Sequence, residues 1–125
     1  MNDIEILRQA VDYFNQRKYV EALNEFEEIW MWLWDGERKQ FYRGLIQTAG
    51  ALHHLVQGTD TSAKRLYRSA LRILGEFPQG YEGLDLAGLM EGLILLSPSF
   101  ESPASDLSVI SFPTLRFIET GSDEV

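Results

Sequence analysis

Residues 38–58, RKQFYRGLIQTAGALHHLVQG, constrain the fold more than any other stretch of this 125-residue chain. Wound at 3.6 residues per turn, they put Phe41, Leu45, Thr48, Leu52 and Leu55 on one side and Tyr42, Ile46, Ala49, His53 and Val56 on the next. The two arcs together are wider than the stripe of a helix lying on a surface. A helix built from them needs neighbours on several sides, which makes it the centre of a bundle. Gly44 and Ala51 leave a ridge without bulky side chains, where another helix can approach closely. Beside it run Arg43, Gln47, Gly50 and His54, a polar line on a helix otherwise built for burial. Buried polar groups are costly unless paired, so this line requires partners from elsewhere in the chain.

The flanking sequence supplies the neighbours. Residues 3–16 read as a helix with Ile4, Leu7, Val11 and Phe14 on one stripe and Asn2 or Asp3 as its cap. A second helix over residues 19–34 carries a stripe of Tyr19, Ala22, Leu23, Phe26, Trp30 and Leu33. Asp35-Gly36 ends it, with Gly36 suited to a left-handed position after the last turn. The short link makes the second and third helices antiparallel neighbours. A fourth helix over residues 61–77 buries Ala63, Leu66, Tyr67, Ala70, Leu74 and Phe77. It turns Lys64, Arg65, Arg68 and Arg72 outward, as a solvated face or one paired with the acidic face of the second helix. A fifth helix, 84–96, contains Gly88 and Gly92 and depends on tertiary packing.

From residue 97 the pattern changes. Pro98, Pro103, Pro113 and a run of serines oppose helix, while Val109, Ile110, Phe112, Leu115, Phe117 and Ile118 are too apolar for a solvated tail. The expectation is extended chain over residues 97–118, with a strand-like piece near 108–112. It docks on the 1–96 bundle in cis or on a second copy of the chain, as in a homodimer. Residues 119–125 are expected to fray.

The net charge of −8 argues against nucleic acid as a partner and against binding to an anionic membrane surface. No apolar run approaches the length of a spanning helix, and the start, MNDIEILRQ, lacks the apolar core of a secretory signal. Zero cysteines exclude disulfides and thiolate metal sites and fit a reducing compartment, so the expected location is the cytoplasm.

Motifs that carry chemistry are absent: there is no nucleophile elbow, phosphate loop or H-E-x-x-H. His53 and His54 are adjacent on a helix, point about 100° apart and cannot readily share a metal. Glu27, on the flank of the second helix's stripe, is the carboxylate best placed to meet the polar line. Counting from the joint at 35–36 puts it level with residues 45–47, so Glu27 is expected to pair with Gln47 or Arg43, and His54 to meet Tyr19 or Asn24. On that pairing Gln47→Ala should cost about 1–3 kcal/mol. No cofactor is expected, and no stoichiometric metal. Trp30 is read as inward, whereas Trp32 and Trp34 point elsewhere, either under the C-terminal segment or outward as an anchor for a partner.

On these residues the chain resembles a helical family catalogued as domain of unknown function number three hundred and nine. Its pattern runs roughly Y-F-E-A-H-E-x-x-E-x-x-W, then R-x-F-L-Q-G-L-I-Q, then a histidine before R-G-N, then G-A. Tyr19, Glu21, Ala22, Glu27 and Trp30 match the first part, and Arg38, Phe41, Gly44, Leu45, Ile46 and Gln47 the second. His54, Gly58 and Ala63 match the remainder. The likeness covers about residues 12–75 and implies a small all-α bundle. The family's H-E-x-x-E segment suggests metal-dependent hydrolysis, but Leu23-Asn24 stand where its histidine and first glutamate would be, and Arg43 replaces a glutamine.

The expectation is therefore an all-α, single-domain bundle of about five helices with an extended tail, acting as an interaction or structural module. The alternative is a degenerate metal-dependent hydrolase with a pocket lined by Glu27, Arg38, Arg43, Gln47 and His54. The partner is an unidentified protein or small molecule.

Overall fold

The computed structural model describes residues 2–101 and 110–118. Within these residues six α-helices follow in order: α1 (Asp3–Asn15), α2 (Tyr19–Trp32), α3 (Glu37–Gln57), α4 (Asp60–Leu74), α5 (Leu86–Leu95) and α6 (Ser97–Glu101). Among the described residues there is no strand, only an isolated antiparallel bridge between Leu84 and Phe117. The protein is all-α.

Sequential helices pack as antiparallel neighbours, α1 on α2, α2 on α3 and α3 on α4. The first arc of α3 is wholly interior: Phe41, Leu45, Thr48, Leu52 and Leu55 are all buried, each large apolar one contributing about 1.5–3 kcal/mol. The second arc is interior at Tyr42 and Ala49 and reaches solvent at Val56. The small-residue ridge receives α4. A Cβ at Gly44 would lie 2.8 Å from a methyl of Leu74 and 2.9 Å from one of Ile73.

Capping follows the local sequence. Asn2 accepts a hydrogen bond from the Glu5 amide while the Glu5 carboxylate accepts one from the Asn2 amide, closing a capping box on α1. Gly58 ends α3 at φ 79°, the left-handed region that glycine enters without strain.

Several readings of the helices need correction. In α1, Ile6 and Ala10 are buried and Ile4 is 63% exposed, because the stripe is rotated toward α2. In α2 the buried residues are Tyr19, Ala22, Phe26 and Ile29, so the inward face lies to one side of Trp30, which is only half-buried. The helix stops at Trp32, and Gly36, at φ 145°, starts α3 instead of closing α2. The basic face of α4 pairs with neither α2 nor solvent alone. Lys64 and Arg68 reach Glu101 of α6 at 3.3 and 2.9 Å. Glu101 became available because residues 97–101 are helical, not extended; Pro98 sits in the first turn, where its missing N–H costs nothing.

The 110–118 segment is non-helical and lies along the bundle. Leu115 is 1% exposed, and its N–H and C=O both bond to the Asn15 side chain, at 2.7 and 2.8 Å. Phe112 meets Tyr19 and lies under Arg17, and Pro113 approaches α5 at Gly92, where a Cβ would be 2.9 Å away. No strand forms at 110–112; residues 108 and 109, including Val109, and residues 119–125 lie outside the described residues.

Candidate functional site

The five polar residues singled out by the sequence occupy three different environments. Arg38, in the first turn of α3, sits in a polar cluster. Its Nε donates to Glu82 Oε2 at 3.1 Å and an Nη to Asp3 Oδ2 at 3.2 Å. Tyr42, one turn on and fully buried, donates its hydroxyl to Glu82 Oε1 at 2.7 Å. Both oxygens of Glu82 are therefore engaged. Burial works against the Arg38 charge, but the Glu82 carboxylate outweighs it and holds the guanidinium above its ordinary pKa. Burial first, then the hydrogen bond to Glu82, pushes the Tyr42 phenol far above the usual range.

Glu82 reaches this position by an unusual backbone. It lies in the turn Tyr81–Gly83 at φ 57°, a left-handed conformation that costs a non-glycine residue about 1–2 kcal/mol. Two interactions hold the turn in place. Phe41, Phe77 and Tyr81 pack ring to ring at 4.7–5.1 Å, and Ile118 N–H donates to the Gly83 carbonyl at 2.8 Å.

Asp3, Ile4, Leu7, Arg8, Arg38, Tyr42, Glu82 and Phe117 line a pocket of about 200 Å³ here. Its cations and carboxylates are largely spent on one another and on Phe117, over which Arg8 lies at 5.8 Å. A general base needs a carboxylate or imidazole free to take a proton, and Glu82 is fully occupied. The cluster acts as a clamp fixing the 80–84 turn to α1 and α3.

Glu27 and Arg43 are exposed, and among the described residues no hydrogen bond joins Glu27 to Gln47 or Arg43. The expected pairing fails because Glu27 follows Phe26 by about 100° of helix turn, on the side away from the Tyr19–Ile29 stripe. Among the described residues, Gln47 Oε1 and His54 Nδ1 are buried with no protein hydrogen-bond partner, as is the Tyr19 hydroxyl. Desolvation raises the Tyr19 phenol to about 12, with Arg17 pulling slightly the other way. Among the described residues no group of three or more His, Cys, Asp or Glu is placed to hold a metal ion. Glu82, Asp3 and Tyr42 escaped sequence reasoning: the first two lie far from Arg38 in the chain, and Tyr42 reads as another apolar position.

The other conspicuous feature is aromatic. Trp34 is 92% exposed, Trp32 75% and Met31 58%, all at the corner where α2 gives way to α3. The corner is fixed from beneath. Lys39 Nζ lies 4.3 Å over the Trp30 ring and donates to the Leu33 carbonyl at 3.2 Å.

Comparison with known proteins places these features in context. Residues 7–66 match the family described as Domain of unknown function (DUF309). That span contains α2, α3, Arg38, Tyr42 and the tryptophan corner, while Asp3 and Glu82 fall outside it. An uncharacterized protein of Aquifex aeolicus (strain VF5) is 31% identical over 84 residues, covering 67% of this chain and 25% of that protein. The uncharacterized protein YpuF of Bacillus subtilis (strain 168) is 31% identical over 102 residues, covering 80% of this chain and 59% of that protein. The chain thus spans a quarter of the first relative and a little over half of the second. Over residues 7–66, the chain carries a match to the DUF309 family, a domain of unknown function.

Proposed function

We propose that this protein is a non-catalytic interaction module of a reducing, cytoplasm-like compartment, and that its contact surface is the Met31–Trp32–Trp34 corner. One observation supports the reading most: two indole rings stand in solvent where α2 gives way to α3, 75% and 92% exposed. Tryptophan in this setting is the residue type most enriched among interface hot spots, and each ring offers roughly 150–250 Å² of contact area. The rings contribute little to folding, so Trp32→Ala/Trp34→Ala should shift unfolding free energy by no more than about 0.5 kcal/mol per site. The test is selection from a displayed random-peptide library on the wild type, with the double variant as counter-target. Peptides that bind the wild type and not the variant support the reading; enrichment indifferent to the two rings, or none, overturns it.

A second reading rests on the buried atoms of Tyr19, Gln47 and His54 that lack protein partners. Polar atoms in that state suit a small polar ligand lodged against α3. Ligand-dependent stabilisation of the wild type that disappears in Gln47→Met would favour it.

A further inference from the structure

We propose that the partner of the Met31–Trp32–Trp34 corner is a basic, amphipathic peptide segment that lays apolar side chains on the indoles and Lys or Arg side chains on a surrounding acidic rim. This deepens the interaction reading and rests on it. The rim is built by helix geometry and by sequence. Glu27 and Glu28 lie one turn before Met31 and Trp32 on the same helix faces, and Asp35 and Glu37 flank Trp34 across the corner; all four carboxylates are exposed. Of the nearby cations, Arg38 is paired with Glu82 and Asp3, while Lys39 lies on Trp30 and the Leu33 carbonyl and offsets one of the four carboxylates. The corner therefore presents apolar area inside a net negative rim, on a chain of net charge −8.

Charge decides among occupants. A second copy of the chain would dock isologously and bring one acidic rim against another, which disfavours a homodimer on this face. Anionic lipid headgroups are repelled for the same reason. A basic segment is attracted, and its Lys or Arg side chains can also stack on indole faces. The corner is pre-organised, since Leu33 caps α2, Lys39 ties the Leu33 carbonyl, and Gly36 at φ 145° starts α3 at once. Pre-organisation reduces the ordering cost of binding.

The test is the sequence composition of the tryptophan-dependent peptides, followed by tryptophan-fluorescence titration of the full chain with the most enriched one. The expected result is enrichment of Lys and Arg among apolar residues and a blue-shifted emission on binding. Affinity should fall at least about tenfold when the basic residues are changed to glutamine, and fall again with added salt. Glu27→Gln/Glu28→Gln should weaken binding several-fold with the unfolding transition intact. Tryptophan-dependent peptides without basic residues, or binding indifferent to salt, overturn this assignment and leave the interaction reading standing. Peptides indifferent to the tryptophans overturn both. A concentration-dependent dimer abolished by Trp34→Ala assigns the corner to a second copy. A blue shift with phosphatidylcholine vesicles, with or without phosphatidylserine, assigns it to lipid. Either result overturns the proposal.

Discussion

At the start of α3, Arg38 and Tyr42 find carboxylates from two other parts of the chain, at 2.7–3.2 Å. Further along the same helix, Gln47 Oε1 and His54 Nδ1 are buried and no group of the described residues reaches them. Tyr42 is as fully buried as Gln47 Oε1 and His54 Nδ1 on the same helix, so burial alone does not explain the contrast. The difference is what packs alongside. The start of α3 is covered by a turn and by α1, whose backbones can deliver a carboxylate. Its middle is covered by the helices α2 and α4, and Leu66 and Leu23 close on Gly50 between the two unpaired residues, at 3.2 and 3.8 Å from a would-be Cβ. Arg38 and Tyr42 are satisfied because a turn and α1 bring carboxylates to them, whereas Gln47 faces apolar side chains of the neighbouring helices.

Substitutions can break that contrast or sharpen it. The largest effect is expected at Glu82. Glu82→Ala leaves the buried Tyr42 hydroxyl without an acceptor and should lower unfolding free energy by about 2–3 kcal/mol in urea titration. A loss below about 0.5 kcal/mol would mean the clamp is ornamental and the two regions are alike. Gln47→Met should be neutral or up to about 1 kcal/mol stabilising, since it removes an unsatisfied acceptor at nearly constant volume. This reverses the cost expected for Gln47→Ala on the assumption of a Glu27 partner. A loss comparable to that of Glu82→Ala would show that Gln47 has a partner after all.

The smallest effect is in pH. Both tyrosines have folded pKa values above the unfolded value of 10.0, Tyr42 more strongly than Tyr19, which lies at about 12. Between the unfolded and folded values the native state holds protons that the unfolded state has released. Their stabilisation is complete below pH 10 and is lost as pH rises beyond it. Tyr42→Phe and Tyr19→Phe should therefore flatten the alkaline decline in stability by similar amounts between pH 10 and about 12, where Tyr19 itself ionises in the native state, and only above that should Tyr42→Phe flatten it more, as read from melting temperatures. A decline that neither substitution flattens would mean that burial does not hold the two phenols protonated.

The helices were legible because periodicity is local. Phe41, Leu45, Leu52 and Leu55 announce an interior helix without reference to any other segment, and Gly44 announces where α4 must come close. Trp32 and Trp34 were legible as residues off the stripe. The clamp was not, because nothing local marks Glu82: it is a charged residue in a turn, 44 positions from Arg38, and its role depends on a left-handed backbone. Glu27 was misplaced by a small error of rotation, since reading the α2 stripe through Trp30 instead of Ile29 turns the helix by about 100° and carries a carboxylate from solvent to the interface.

The Asn15 side chain holds both backbone groups of Leu115 across 100 residues of chain. The four long helices can assemble by contacts between successive neighbours, which is the low-contact-order route that folds fast. The Asn15 clamp cannot form until its two distant segments have been brought together, so it belongs to the downhill side of the folding barrier. Asn15→Ala should leave the folding limb of a chevron unchanged and steepen loss through the unfolding rate alone. The clamp then governs how long a folded molecule lasts, while α1–α4 govern how quickly one is made.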